Sequence, residues 1–467
     1  MGRSLKALLC ASAGAASLLT AGAVRAADAT DSAAAQSASQ VGELVVTAQR
    51  REESVQAIPA SISAISGATL DARGIETVND LQFAVPSFHS GTLTGGTNIS
   101  IRGVGATTGG PGVAENVDGV YQTQTSVADL AQVDLQRVEV LRGPQGTLYG
   151  RNANAGAVNF ITNAPSDRFG GSLLAGYAQY DQYHLQGIIN APLGEALKTR
   201  LVVDYNDRQQ GFVSNVTPGG ESLDRGSTLS ARFRASVTLS SSLDFDLGVS
   251  ALHSHGPWEY LTNYNTPAPV AFAANPFLVN ANFITQPWKT DDNDPVGGTR
   301  DYQSVSGTFT WRLPFGELKS ITAFQNYAYA ATNDGDGANL SVAPYISHYW
   351  DRSITQELDL SGRWDHLDWV AGFFFLSEKS HNSLFYNFSL GLTGLPPSSY
   401  LDFENPRYDT TSYAGFADGT YHVTDSLKLI AGLRYSDDQQ VAVYGNSFGL
   451  VLKRNPGPPR RLLPAGD

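Results

Sequence analysis

The chain has a single cysteine, Cys10, in 467 residues. One thiol excludes an internal disulfide framework and dithiol redox chemistry, and Cys10 lies in a segment read below as a cleaved signal, which leaves no cysteine for thiol catalysis or a metal in the mature chain. Positive charge is scarce: 31 lysines and arginines stand against 44 aspartates and glutamates, a formal net charge of −13. So acidic a chain lacks the basic footprint that nucleic acid requires, and no nucleic-acid partner is expected. Long apolar runs are missing too. Past residue 26 none reaches the ~18 residues of a transmembrane helix. A membrane β-barrel stays open, because its strands alternate weakly over about ten residues at a time. No nucleophile, base and orienting group stand together, so neither an enzyme nor a resident cofactor is expected. What the chain does have is 47 glycines, 20 tyrosines and 21 phenylalanines. That composition suits a β-rich protein with many turns.

Residues 1–26 read as a secretory signal. Arg3 and Lys6 supply positive charge, and 7–23 form a short core of apolar and small residues. Val24-Arg25-Ala26 then offers small or apolar side chains at the two positions a signal peptidase reads. The core is too short and alanine-rich to span a bilayer well. Leu9 stands where a lipoprotein signal needs a small residue, so Cys10 is read as part of the core. Residues 27–40 are small and polar and are expected to be disordered. Glu43, Leu44, Val45, Val46, Thr47 and Ala48 follow as a strand-forming hexapeptide, and Arg50-Arg51-Glu52-Glu53 comes directly after.

The most informative stretch is 137–162, RVEVLRGPQGTLYGRNANAGAVNFIT. Val138 and Val140 alternate into a strand that breaks at Arg142-Gly143-Pro144. A glycine-studded turn leads to a second strand from Ala157. Upstream lie NVDGVY (116–121) and ISIRG (99–103). Around them the spacing predicts a small α+β domain over 55–166. Ser66 caps a helix over 67–73 that stops near Gly74. Thr77 caps a second helix, ended by Val85-Pro86. A third is expected over 126–133. Strands over 98–103, 117–121 and 137–142 complete one sheet, with glycine-rich links at 91–96 and 105–112. Gly103, Gly105 and Gly109 do not make a phosphate loop, because no helix starts there to present its amide end.

This ordered set of motifs, over roughly 42–165, resembles the plug domain of the TonB-dependent receptors. The resemblance implies a plug followed by an antiparallel transmembrane β-barrel in the outer membrane, in contact with its lipid. It implies uptake of a scarce ligand, most often a ferric siderophore or similar iron chelate, with TonB as the partner. Residues 43–48 then resemble the TonB box, inside a leader at 27–54. Strand addition is the physical logic: an extended peptide pairs its backbone with a sheet edge on the partner. The family also pairs two plug arginines with barrel glutamates. By motif position these are Arg102 and Arg142, with Glu357 of Ser353-Ile354-Thr355-Gln356-Glu357-Leu358 as their acid.

From Phe169 onward the chain alternates. Leu229, Ala231, Phe233, Ala235 and Val237 interleave with Ser230, Arg232, Arg234 and Ser236. Leu243, Phe245, Leu247, Val249 and Ala251 interleave with Asp244, Asp246, Gly248 and Ser250. A period of two puts one set on each face of a strand, here a lipid face and a wet face. Short links at 194–197, 240–242, 314–316, 364–367 and 423–426 alternate with long ones, the outer-membrane pattern. The barrel is expected over 167–445 with about eleven strands, where plugged transporters have about 22. Residues 446–467 read as a non-native or disordered tail, so the barrel is expected to be incomplete. That leaves a truncated or frameshifted, non-transporting fragment as one alternative, and a secreted β-rich carbohydrate-active protein as another.

The long loop over 256–301 is aromatic, with Trp258, Tyr260 and Tyr264 as candidate ligand contacts. His253 and His255 share one strand face near the outer rim and are candidates as well. With no third donor in view they are not expected to hold a metal. Asp291, Asp292 and Asp294, and Asp334 and Asp336, lack EF-hand spacing and read as solvated charge.

Overall fold

The computed structural model describes residues 45–47, 49–51, 53–58, 60–93, 96–106, 110–124, 133–257, 286–293, 296–334, 345–386, 401–404, 407–424, 426–443 and 448–449. In the leader, β1 (Val45–Val46) pairs antiparallel with β2 (Glu53–Ser54). The plug then runs β3 (Ile62–Ser66), α1 (Gly67–Arg73), β4 (Phe88–Leu93), β5 (Gly96–Ile101), β6 (Val113–Val117), β7 (Val120–Tyr121), β8 (Leu135–Arg142), α2 (Gly146–Tyr149) and β9 (Gly156–Thr162).

Five of these strands form one sheet, in the order β3-β8-β9-β6-β7. The two faces of β8 have different chemistry. Val138 and Val140 are fully buried in the plug core with Val78, Leu81, Phe88, Ile101, Val158 and Phe160. Glu139 and Leu141 lie on the other face, beside Asn159 and Ala157 of β9. The start of α1 is capped as the sequence predicts: Ser66 Oγ accepts from the Thr69 N–H at 3.3 Å. Its end is capped by Gly74 in the left-handed region, φ 61°. A Cβ there would be strained, which is why glycine serves.

One expectation needs correction. The strand at 98–103 does not join the plug sheet; as β5 it pairs with β4 in a hairpin of its own. Period-two patterning gives a strand its faces but not its neighbour. The helix expected after Thr77 forms as a 3-10 helix, Val78–Phe83. Asp80 Oδ2 accepts from both the Thr77 N–H and the Thr77 hydroxyl, each at 2.8 Å. That contact fastens the first turn while Val85-Pro86 ends the segment, leaving no room for wider turns. Of the expected third helix only Val133 lies within the described residues.

The wall is built from eleven long antiparallel strands: β10 (Gly170–Ala178), β11 (Gln182–Pro192), β12 (Leu197–Arg208), β14 (Gly226–Ser240), β15 (Leu243–Gly256), β17 (Gly297–Leu313), β18 (Gly316–Asn333), β19 (Tyr345–Trp364), β20 (Leu367–Tyr386), β22 (Arg407–His422) and β23 (Lys428–Val443). Two short strands, β21 (Leu401–Glu404) and β24 (Phe448–Gly449), extend the sheet beside β20. A separate parallel pair, β13 (Ser214–Asn215) with β16 (Lys289–Thr290), lies in the connections.

Alternation decides the faces as expected. Leu173, Leu229, Phe233 and Val249 are exposed on the outer face, while Arg232, Ser230 and Leu252 are buried toward the plug. The five short links fall where the sequence puts them. The link at 179–181, at the opposite end of the wall, is short as well. Tyr180 and Asp181 take positive φ there, 66° and 50°. Among the described residues no helix is long and apolar enough to cross a membrane.

Candidate functional site

The candidate site is the seam where leader, plug and wall meet. The turn after β1 is closed by the Arg50 N–H donating to the Thr47 carbonyl at 3.0 Å. It aims the Arg50 side chain at the wall. Arg50 Nη1 sits 2.6 Å from Glu357 Oε1 on β19, with both side chains almost wholly buried. The same guanidinium lies over the Tyr149 ring, 4.9 Å from its centroid. Burial alone would lower the Arg50 pKa, but the carboxylates of Glu357 and Asp359 outweigh it and hold the cation above its ordinary value. Arg51 Nη2 donates to Thr420 Oγ1 of β22 at 3.1 Å and pairs with Glu53.

Behind this pair runs a buried polar chain. Asn159 Nδ2 donates to the Tyr149 hydroxyl at 2.7 Å, and Asn116 Nδ2 donates to Asn159 Oδ1 at 3.1 Å. Burial pushes the Tyr149 phenol up, so it stays neutral under Arg50. Glu139, fully buried, is ion-paired to Arg137 at 2.8 Å and accepts the backbone N–H of Thr47 at 3.0 Å. Val46 is fully buried and packs in a cluster with Leu141, Leu148 and Tyr149 of the plug and Leu376 of the wall. Arg434 of β23 adds a second cation, its guanidinium 5.3 Å from the Phe416 ring.

The arginines expected to meet Glu357 do not. Arg102 is exposed, in the left-handed region at φ 54°, with its own N–H bonded to the Ser87 carbonyl. The Arg142 N–H is bonded to the Ser61 carbonyl. The cation that Glu357 meets is Arg50, supplied by the leader. The pair Arg50-Arg51 directly after the strand-former was the available signal.

On the other flank the polarity is reversed, and sequence reasoning missed it. Arg200 of β12 forks onto Asp134, Nε to Oδ2 and Nη2 to Oδ1, both at 2.6 Å. Arg234 Nη1 donates to the Thr162 carbonyl at 3.1 Å and to its hydroxyl at 2.9 Å, with Asp118 3.7 Å away. Arg232 Nη1 donates to the Val133 carbonyl at 2.6 Å. Asn190 of β11 ties down the exit strap, accepting from the Ser166 N–H and donating to the Arg168 carbonyl. A cavity of about 40 Å³ lies beside these groups, lined by Asp118, Gln122, Arg232, Arg234 and Tyr302. A cavity of about 200 Å³ lies on the leader side, between Gln49, Leu141, Gln145, Leu148 and Asp418. A third contact joins β19 to the link after β7, where the Thr123 hydroxyl donates to Asp351 Oδ1 at 2.8 Å.

The loop candidates fare differently. Trp258, Tyr260 and Tyr264 lie outside the described residues, as do Glu43, Leu44 and Ala48. His253 and His255 do share a face, but it is the outer one: their strand neighbours Leu252 and Ser254 are buried toward the interior. His253 Nδ1 bonds to Asp301 Oδ1 at 2.8 Å across the strand pair. The correction follows from parity, because both histidines continue the odd-numbered apolar series of β15. Asp291 and Asp292 are buried rather than solvated, Asp291 accepting from the Thr217 hydroxyl at 2.7 Å. Among the described residues no group of three metal-ligating side chains forms.

A small α+β domain clamped on two flanks by an antiparallel wall with an apolar outside defines a plugged membrane β-barrel. Comparison with known proteins gives the family. Residues 54–157 match the TonB-dependent receptor plug domain, and 251–460 match the TonB-dependent receptor-like β-barrel. The chain belongs to the TonB-dependent receptor family. It is 27% identical over 433 residues to the pesticin receptor of Yersinia pestis, covering 88% of this chain and 59% of that protein. It is 30% identical over 242 residues to the iron-regulated outer membrane virulence protein of Vibrio cholerae, covering 47% and 35%. Among solved structures, the ferric yersiniabactin uptake receptor of Yersinia pestis superposes with a TM-score of 0.67 at 21% identity, covering 82% of this chain and 57% of that one. The ferripyoverdine receptor of Pseudomonas aeruginosa gives 0.63 at 16% identity, covering 86% and 55%. The chain thus spans a little over half the length of the pesticin, yersiniabactin and ferripyoverdine receptors, and about a third of the Vibrio cholerae protein.

Proposed function

We propose that the chain works in the outer membrane as part of a receptor for active uptake of a scarce iron chelate, with a ferric siderophore as the ligand class. Residues 43–48 engage TonB by strand addition, and a pull on them is transmitted to the seam. The observation that carries this is the position of Arg50. Two residues beyond the hexapeptide, it forms the buried pair with Glu357 of the wall. Force applied at 43–48 therefore loads a leader-to-wall ion pair, and separating that pair frees the leader from β19. Such a pair holds by geometry more than by net energy, since desolvating both charges offsets much of their attraction. That suits a latch that must open.

Ligand enters from the side of the long loops, and the aromatic types of Trp258, Tyr260 and Tyr264 suit the flat or apolar surface of such a ligand. It can bias the leader only by binding two plug states with different affinity. The names of the relatives support the ligand class, and family membership displaces the reading as a secreted carbohydrate-active protein. The test is direct. Detergent-extracted chain is assayed for binding the isolated periplasmic domain of TonB, with the order of residues 43–48 scrambled as control. Saturable binding lost on scrambling supports the reading, whereas binding that survives scrambling, or none at all, overturns it.

A further inference from the structure

Glu139 has no part in the latch, yet it is among the largest fully buried side chains of the molecule. It stands on β8, on the face turned away from the plug core. Three residues reach its carboxylate: Arg137 through Nε at 2.8 Å, Asn159 through Nδ2 at 3.4 Å, and Thr47 through both its backbone N–H at 3.0 Å and its hydroxyl at 3.4 Å. Two of these belong to the plug and stay whatever the leader does. The third belongs to the segment read above as the partner's. Next to it, Val46 buries its whole side chain against the same surface, and β1 spends its pairing on β2. Strand addition needs a free backbone edge and side chains that can enter the partner's pockets. In the docked leader the Thr47 N–H and the Val46 side chain are both committed.

We propose that Glu139 is the positioning residue that keeps the leader docked, so that residues 43–48 reach a periplasmic partner only after the Glu139–Thr47 bond opens. The inference rests on the reading of 43–48 as the partner segment. Its reversibility comes from the two remaining partners. When Thr47 leaves, Arg137 and Asn159 still satisfy the carboxylate, so no unpaired charge is stranded in the plug. The bond to Thr47 is charge-assisted and directional, and it selects one register of the leader where the Val46 contact alone is permissive.

The test uses the full chain in outer-membrane fractions, in a Cys10→Ser background. Val46→Cys reports exposure of the leader by its rate of maleimide labelling. In a separate chain Val158→Cys, from the plug core, reports opening of the whole plug. Glu139→Gln keeps the size of the side chain and gives up its charge. It is expected to raise labelling at position 46 about tenfold, the factor for one charge-assisted hydrogen bond, and to leave position 158 unchanged. Thr47→Pro removes both donors, the N–H and the hydroxyl, and leaves the carboxylate in place, and it is expected to act alike. An unchanged rate at 46 in both variants, or an equal rise at 158, overturns the proposal. Binding of the isolated TonB domain is read on the same samples. Faster labelling at 46 without TonB binding leaves the clamp standing and sinks the partner reading instead.

Discussion

The two flanks of the plug are held by the same chemistry with its polarity reversed. On the leader side the plug side gives the cation, Arg50, and the wall gives the acid, Glu357. On the far side the wall gives Arg200, Arg232 and Arg234, and the plug gives Asp134, Asp118 and backbone carbonyls. The difference in multiplicity matters more than the sign. The far side adds the Asn190 strap and spreads its bonds over β11, β12 and β14, onto segments adjoining β8 and β9. The leader side meets the wall through two neighbouring residues, Arg50 on Glu357 and Arg51 on Thr420. Under the proposed function, a pull on the leader loads this short stretch in line, while the far side shares any load among several bonds. On that proposal the plug has a releasable flank and a fixed one.

The largest expected effect breaks the releasable flank. Arg50→Ala leaves Glu357 buried without its ion partner, a change that costs about 3 kcal/mol or more when one half of a buried pair is removed. Denaturant titration followed by labelling of the leader should show it released early, while a reporter near Asp134 keeps its protection. Equal loosening of both would erase the distinction between the flanks. The charge swap Arg50→Glu with Glu357→Arg should recover part of the loss, because the two side chains act on each other.

Next comes Arg200→Ala. Asp134 loses its bidentate partner but keeps the Asn163 Nδ2 donor at 2.8 Å, so about 2 kcal/mol is expected. The loss should appear near residues 133–134 and not in the leader. Arg200→Lys keeps the charge and gives up the fork, and about 1 kcal/mol is expected by the same measurement. If lysine costs as much as alanine, geometry rather than charge holds this flank.

Much of this architecture was legible in the sequence, and what was not has definable causes. The caps Ser66 and Gly74, the alternation of β8 and the two faces of the wall are local, and local chemistry writes them directly. Even the misjudged histidines were readable, since parity counted from Val249 puts His253 and His255 outside. Strand adjacency was not local: nothing in 98–103 says that β5 pairs with β4. Nor was the cation opposite Glu357. Arg102 and Arg142 sit in the expected motif, but the leader folds back between plug and wall and brings Arg50 in first. The far flank hid in plain view. Arg232 and Arg234 were placed on the wet face, but their acceptors are mostly carbonyls, which carry no side-chain signature.

The smallest effect sharpens the comparison by lying outside both flanks. Asp224, in the connection between β12 and β14, is 3.2 Å from Arg208. Yet Arg208 makes its two hydrogen bonds to the Asp224 carbonyl, at 3.0 Å and 2.6 Å. Burial raises the Asp224 pKa, and the nearby Arg208 only partly offsets it. A carboxyl raised in the folded state binds its proton more tightly there than in the unfolded chain. It therefore favours the fold at low pH, and that contribution fades as pH rises through the carboxylate range. Asp224→Asn removes this pH dependence, keeps both bonds to Arg208, and suits the left-handed φ of 61°. Its expected cost is within about 0.5 kcal/mol, whereas Asp224→Ala at the same φ should cost about 1 kcal/mol. Thermal melts across pH 4–7 decide it. A large loss in the asparagine variant would mean that the carboxylate, not the carbonyl, holds Arg208, and that side-chain charge rules the outer connections as it rules the two flanks.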